Sequence, residues 1–216
     1  MLLHRNALIT AGNPIWLEES KYGNKPRLEQ VVEGLKHLVD NVYAVCPQSH
    51  LKTYSFERLY KVGLNFIILK EDTTSQVETI RMAVKDNKQL QCNELIVRDV
   101  HASFKIPDVP TEADYACYIT PITKDFSKKA VVSVLPDYVS GYYKIQSVRE
   151  RPESIDSNEI YFCAGAYYFY RGNEFLSKVK GEAFHYMSDL TQSYLTDMAE
   201  AFEVNGIVVE DYKEIL

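Results

Sequence analysis

The chain has no Cys-x-x-Cys pair, no secretory signal and no long apolar run. Its four cysteines, at 46, 92, 117 and 163, are widely spread, which predicts reduced core thiols in a cytoplasmic protein rather than a disulfide framework. The N-terminus lacks the apolar core of a signal peptide, and no run approaches the length that spans a bilayer. We therefore expect no membrane partner.

Acidic residues outnumber basic ones by 30 to 24, which gives a formal net charge of −6. This balance argues against DNA or RNA as a main partner, because nucleic-acid backbones are bound by basic faces. A nucleotide remains compatible with the charge, since one local cationic site is enough to hold it. The length of 216 residues suits one well-packed domain, which we assign to residues 1–216.

The first forty residues predict a buried strand, a glycine turn and a helix. Asn-Ala-Leu-Ile-Thr-Ala-Gly at 6–12 is an apolar run that ends in glycine. After Lys25-Pro26, apolar residues recur at the three- and four-residue spacing of one helix face; they are Leu28, Val31, Val32, Leu35, Leu38 and Val39. Such a unit opens nucleotide-binding α/β domains, in which ligands sit beyond the carboxyl end of the strand.

Further along the chain, strands alternate with helices and then follow one another directly. Apolar runs at 42–47, 65–69 and 94–101 are separated by helical segments, which predicts a largely parallel sheet. From residue 114 onwards, successive strand-like runs predict an antiparallel addition. Continuous apolar runs are typical of strands covered on both faces, so we expect a buried set: Leu8, Ile9, Val45, Ile67, Ile68, Ile96 and Val97.

The opening resembles the sugar nucleotidyltransferases, which join a nucleoside triphosphate to a sugar phosphate. Ala11-Gly12 stands where their first strand ends in Ala-Gly-Gly, and Lys25-Pro26 matches their helix start. The loop between, 13–22, departs from the family because it has no Gly-x-Gly-x-Arg. A phosphate cradle needs small residues and a cation, and Lys21 and Lys25 are the only cations left in the loop and at the helix entry. We expect Lys25 to be the catalytic one, because its charge near a helix N-terminus is unfavourable unless an anion compensates it; the alternative is a solvated lysine. The resemblance implies that Ala11 and Gly12 bind the nucleotide.

The resemblance extends to two later motifs that are expected to bind the substrate. Val-Arg-Glu-Arg-Pro at 148–152 is similar to the family's Glu-Lys-Pro, whose acid contacts sugar hydroxyls and whose base contacts phosphate. Those roles fall on Glu150 and Arg151. The run at 161–169 is similar to the strand that lines the family's sugar pocket, and Gly165 would admit the sugar ring to the backbone. The implied fold is α/β, three-layer, with a mostly parallel sheet and an antiparallel addition, of the GT-A or nucleotide-diphospho-sugar transferase type.

Thr74 and Ser75 precede a predicted helix and have two compatible interpretations. Ser75 and Glu78 have the spacing of a capping box. In the resembled family the equivalent loop lies over the nucleotide base, which would make Thr74 and Ser75 nucleotide-binding residues.

A carboxylate at the end of the strand at 94–101 predicts a site for Mg²⁺ or Mn²⁺, because hard cations prefer oxygen ligands. Asp99 matches the family's aspartate here, and His101 replaces a second acid. The closing strand of the family carries another metal ligand, for which the nearest acids are Asp211 and Glu214. The alternative is that Asp99 caps a turn and His101 is merely exposed.

Three functions remain open. A nucleotidyltransferase acting on a nucleotide and a sugar phosphate, as in polysaccharide biosynthesis, would use Lys25 and Arg151 to assist in-line displacement. A GT-A-type glycosyltransferase would bind a nucleotide-sugar donor through the metal at Asp99-Val100-His101. A catalytically degenerate member would bind a nucleotide or a partner chain. The missing glycine–arginine loop favours the last two, and the matches at Glu150-Arg151-Pro152 and Gly165 favour the first.

Overall fold

The structure is a computed structural model that describes residues 4–11, 26–49, 63–110, 112–122, 130–138, 140–150, 152–155, 161–178 and 203–214. In chain order the elements are β1 (Arg5–Thr10), α1 (Arg27–Leu35), β2 (Asn41–Pro47), β3 (Leu64–Leu69), α2 (Gln76–Lys85), α3 (Lys88–Cys92), β4 (Glu94–Arg98), β5 (Ala102–Lys105), β6 (Tyr115–Pro121), β7 (Ala130–Pro136), β8 (Tyr143–Glu150), β9 (Tyr161–Phe169), α4 (Gly172–Lys178), β10 (Asn205–Val208) and β11 (Glu210–Glu214). The helices predicted at 55–62 and from residue 188 lie outside the described residues.

A nine-stranded sheet, in the order β3-β2-β1-β4-β9-β6-β10-β8-β7, forms the centre of the fold. Strands β1 to β4 are parallel to one another, as the alternation with helices predicts. Beyond β4 the pairs are antiparallel, except for β6 with β10. A further β7–β9 pairing partly closes this half. The expected antiparallel addition is confirmed, and the expected mostly parallel sheet is corrected to a mixed, partly closed one, because consecutive strands such as β7 and β8 pair directly with each other.

Two clusters of buried side chains lie on the two faces of the sheet's parallel half. Alternate residues of β1 point to opposite sides, with Leu8 in one cluster and Ala7 and Ile9 in the other. Helix α1 packs into the second cluster through its predicted face of Leu28, Val31, Val32 and Leu35. Helices α2, α3 and α4 pack into the first cluster. No helix within the described ranges is long and apolar enough to cross a membrane.

The predicted buried set is correct on the central strands and wrong on β3. Leu8, Ile9, Val45, Ile96 and Val97 are wholly buried. In β3, by contrast, Ile67 is half-buried and Ile68 is 38% exposed. The physical reason is position, because β3 is the last strand at its edge of the sheet and, among the described residues, pairs with β2 alone.

The closing segment is two strands rather than the expected single one. Chain 205–208 forms β10 beside β6, and the chain then crosses into a two-stranded sheet in which β11 pairs with β5. Asp211 lies where the β11–β5 register shifts and has a φ of 54°. A left-handed residue of this kind interrupts a regular strand. The strand expected at 94–101 likewise ends at Arg98.

Candidate functional site

The site is centred on Asp99, which follows β4 directly at the carboxyl ends of the parallel strands. The β1–β4 ladder pairs Leu8 with Val97 and Ile9 with Arg98, so the next residues, Thr10 and Asp99, come together. The Thr10 hydroxyl donates a hydrogen bond to Asp99 Oδ1 over 3.3 Å. This is the edge at which open α/β sheets bind their ligands.

The first residue of helix α2, Gln76, contributes a third side chain to the site around Thr10 and Asp99. Its amide nitrogen Nε2 donates to the Thr10 hydroxyl over 3.1 Å and also to Asp99 Oδ1. The cluster of Thr10, Gln76 and Asp99 therefore joins β1, α2 and β4. Oxygen Oδ1 of Asp99 accepts both of its hydrogen bonds from neutral groups.

Gly165 lies against the other side of the Asp99 carboxylate. Its φ is +83°, and a Cβ atom built on it would lie 2.9 Å from Asp99 Oδ2. Its carbonyl oxygen accepts a hydrogen bond from the Asp99 amide over 2.8 Å. The structure thus gives Gly165 a role that the sequence did not predict, since a side chain there would displace the carboxylate. Its expected contact with a sugar stays a prediction.

Arg98 fixes the chain that carries Asp99. It is only 2% exposed, and its guanidinium donates to the carbonyl oxygens of Asp99 over 2.8 Å and of Gly165 over 3.2 Å. It also donates to the carbonyl of Ala102 and lies 3.7 Å from the centre of the Phe104 ring. Burial lowers the pKa of Arg98 to about 10, so the side chain is still charged at neutral pH.

The environment of Asp99 opposes its ionised form. The residue is half-buried, and loss of solvent raises its pKa above the ordinary value, against the opposing effects of His101, Arg98, Gln76 and Thr10. An acid held in this way at a strand end is typical of a functional site.

The predicted cap of α2 is present. The Ser75 hydroxyl accepts a hydrogen bond from the Glu78 amide over 3.1 Å. The Glu78 carboxylate accepts bonds from the amide and hydroxyl of Thr74, over 2.7 and 2.9 Å, whereas a capping box would return this bond to Ser75. Both residues thus lie beside Gln76 at the start of α2, and their role towards a nucleotide stays a prediction.

The other candidate metal ligands, His101, Asp211 and Glu214, lie in the segments that follow Asp99 and in β11. His101 is exposed two residues beyond it. Glu214 stands opposite Ala102 in the β11–β5 ladder, whereas Asp211 is exposed in the irregular part of that ladder. Within the residues that the structure describes, no three His, Cys, Asp or Glu side chains cluster tightly enough to hold a metal ion.

The other candidates are placed as follows. Ala11 is buried directly after β1, where its amide donates to the Val45 carbonyl over 3.2 Å. Glu150 ends β8. Gly12, Lys25 and Arg151 lie outside the described residues.

Three residues of the site were missed in the sequence: Thr10, Gln76 and Arg98. Thr10 and Gln76 are polar residues at the ends of predicted elements, which was the one available signal. Arg98 has no such signal, because nothing in the sequence indicates that this strand arginine is buried.

No model of a protein family matches the chain, and no curated protein matches it. Solved structures do match its fold. One is a protein described as a glucose-1-phosphate thymidylyltransferase from Bacillus anthracis, with a TM-score of 0.74 and 13% identity over 97% of this chain and 89% of that one. Another is a nucleoside-diphosphate-sugar pyrophosphorylase from Vibrio cholerae, with a TM-score of 0.71 and 13% identity over 97% and 95%. A UDP-glucose pyrophosphorylase complexed with UDP-glucose matches with a TM-score of 0.69 and 12% identity over 98% and 92%. The chain therefore has a nucleotide-diphospho-sugar transferase-like fold.

Proposed function

We propose that the protein is a nucleotidyltransferase that joins a nucleotide to a sugar phosphate or a similar small phosphorylated substrate. The observation that carries the proposal is the Asp99 carboxylate, held at the carboxyl ends of β1 and β4 by Thr10 and Gln76. On this fold, that edge is where a nucleotide would bind. The named activities of the similar structures support the same reaction class.

The start of α2 is the proposed nucleotide contact. Helix N-termini favour anions and polar ligand groups because their first amides are unpaired within the helix. Thr74 and Ser75 lie there, beside Gln76 and next to the Asp99 carboxylate. With Ala11, directly after β1, and Gly12, the next residue in the sequence, they form the nucleotide side of the proposal. Lys25, Glu150, Arg151 and Gly165 form its phosphate and sugar side.

The proposal includes Mg²⁺ or Mn²⁺ bound by Asp99. The residue fits a hard cation in its chemistry, because it offers carboxylate oxygens whose hydrogen bonds come from the neutral groups of Thr10 and Gln76. Glu214 is the better placed of the two acids on the closing segment, since its ladder partner Ala102 is three residues from Asp99. When bound, the cation would neutralise phosphate charge.

The proposal is tested by titrating the protein with nucleoside triphosphates, with and without Mg²⁺, and following thermal stability. A ligand at a hundred times its dissociation constant adds about 2.7 kcal/mol to the free energy of unfolding. We expect Asp99→Asn to lose the part of this stabilisation that depends on the metal. Asp108→Asn is the matched control, because Asp108 is exposed and contacts Arg5 at the opposite end of β1. Equal metal-dependent binding by both variants would refute the role of Asp99.

A glycosyltransferase is the second candidate, and the absence of glycine and arginine from 13–22 favours it. Without a phosphate cradle, a nucleotide sugar should bind more tightly than a triphosphate. The same titration with both ligand classes separates the two candidates. If neither class stabilises the protein, the degenerate binding role is favoured instead.

A further inference from the structure

Two thiols lie close together on neighbouring strands of the sheet. The sulfur atoms of Cys117, on β6, and Cys163, on β9, are 3.5 Å apart. Cys117 is buried and Cys163 is half-buried, and neither is in a disulfide. The proposed nucleotidyl transfer uses neither thiol.

The two cysteines flank an irregularity of the β6–β9 ladder. Cys117 pairs with Tyr167 and Ile119 pairs with Cys163, so residues 164–166 of β9 stand opposite residue 118 of β6. Gly165, with its φ of +83°, is the middle residue of this bulge. Bulges are the places where a ladder can bend without breaking neighbouring pairs.

The bulge is bonded directly to the Asp99 segment. The Gly165 carbonyl accepts hydrogen bonds from the Asp99 amide over 2.8 Å and from Arg98 Nη1 over 3.2 Å. A disulfide requires the two sulfur atoms to approach from 3.5 Å to about 2.05 Å. Because Cys163 is two residues from Gly165, this approach pulls on the bulge and on the bond to Asp99.

We propose that Cys117 and Cys163 form a reversible disulfide across the bulge and that this disulfide regulates the Asp99 site. A hydroperoxide is the oxidant. The half-buried Cys163 thiolate attacks a peroxide oxygen, which gives a sulfenic acid and, for hydrogen peroxide, releases water after protonation. The Cys117 thiol then attacks that sulfur, the S–S bond forms, and the sulfenic hydroxyl leaves as a second water. A dithiol reverses the step by exchange.

The first test maps the disulfide in the full chain. The protein is treated with hydrogen peroxide, alkylated, digested and analysed by mass spectrometry. We expect one peptide pair linked through Cys117 and Cys163, lighter by two hydrogen atoms than the separate peptides and released by dithiothreitol. Cys163→Ala and Cys117→Ala should each abolish the link. Cys92→Ala is the control, because Cys92 is exposed, and this variant should still form the link. Alkylation of both thiols after oxidation would overturn the proposal, as would a sulfinic acid on Cys163 without a link.

The second test measures the effect on the site without any ligand. Hydrogen exchange of the Asp99 amide is followed by NMR in the reduced and oxidised protein, with the β1 amides as internal reference. We expect exchange at Asp99 to be at least about tenfold faster after oxidation, because its bond to Gly165 is weakened. An unchanged rate in a protein whose disulfide is mapped would overturn the coupling to the site.

The regulatory consequence rests on the proposed function, and a third measurement separates the two. The nucleoside triphosphate titration is repeated with oxidised protein and with the oxidised Cys163→Ala variant. We expect oxidation to weaken binding in wild type and to leave the variant unchanged. Equal binding by reduced and oxidised wild type overturns the regulation and leaves the function standing. Absence of binding in the reduced protein overturns the proposed function. The first two tests would then still show whether the disulfide forms and whether it alters the Asp99 segment.

Discussion

At the scale of single residues, the contacts of Asp99 fix the position of its carboxylate but also keep it in surroundings that disfavour its charge. Thr10 and Gln76 bond one carboxylate oxygen, Gly165 lies against the other, and burial raises the pKa. A half-buried acid with a raised pKa is a cost to the folded state. Proteins retain such costs chiefly at functional sites.

Gly165→Ala is the most specific substitution at this scale. It should destabilise the protein for two reasons, which are the positive φ and the close approach to Asp99 Oδ2. Gly141→Ala is the matched control, because Gly141 has a φ of +76° and a Cβ atom added to it would meet nothing within 4 Å. The control should lose about 1 kcal/mol and Gly165→Ala clearly more, measured by urea unfolding. Equal losses would show that the contact with Asp99 has no energetic weight.

Arg98→Met should be among the most destabilising changes in the described part of the chain. It removes the side-chain donor to the carbonyls of Asp99 and Ala102 and one of the two donors to the Gly165 carbonyl, at a cost of about 3 kcal/mol or more. Arg171→Met is the control, since Arg171 is exposed and makes a 5.4 Å contact with the Tyr170 ring. That contact is worth about 1 kcal/mol or less. Equilibrium denaturation of both variants decides whether the buried guanidinium holds the Asp99 segment.

At the scale of elements, the start of α2 links local sequence to the site. Ser75 caps the helix, and Gln76 follows as the residue that bonds Asp99. Fraying of the first turn would therefore move Gln76 away from the carboxylate.

Ser75→Ala should cost about 1 kcal/mol, the usual loss on removing an N-cap. Ser177→Ala is the control, because the Ser177 hydroxyl donates within α4 to the Glu174 carbonyl over 2.8 Å at an exposed position, and such changes stay within about 0.5 kcal/mol. Urea unfolding measures both. A Ser75→Ala loss no larger than that of the control would contradict the capping role.

The elements also show what the sequence could predict. Local sequence was enough to predict three features, because each depends on neighbouring residues. They are the periodicity of α1, the apolar runs of β1, β2 and β4, and the cap of α2. The division into β10 and β11 was not predictable in this way, because it depends on distant pairing partners, which are β6 before Val209 and β5 after it.

At the scale of the whole molecule, the site depends on contacts that no local pattern encodes. Gln76 is 66 residues from Thr10 and 23 from Asp99 along the chain, and the parallel crossovers bring the three together. The antiparallel addition was predicted, but the partial closure of the sheet was not, since β7 pairs with β9 across a long stretch of chain. The fold resemblance was predictable from motif order, whereas a likeness at 12–13% identity does not extend to activity.

The most direct test of the central claim is a turnover assay on the intact chain. Each nucleoside triphosphate is combined with a set of sugar phosphates and Mg²⁺, and pyrophosphate release and nucleotide-sugar mass are measured together. We predict equimolar pyrophosphate and nucleotide sugar for at least one combination, with a loss of about a hundredfold or more in Asp99→Asn and none in Asp108→Asn. Pyrophosphate no higher than the protein-free background in every combination, or full turnover by Asp99→Asn, would contradict a nucleotidyl-transfer site at Asp99.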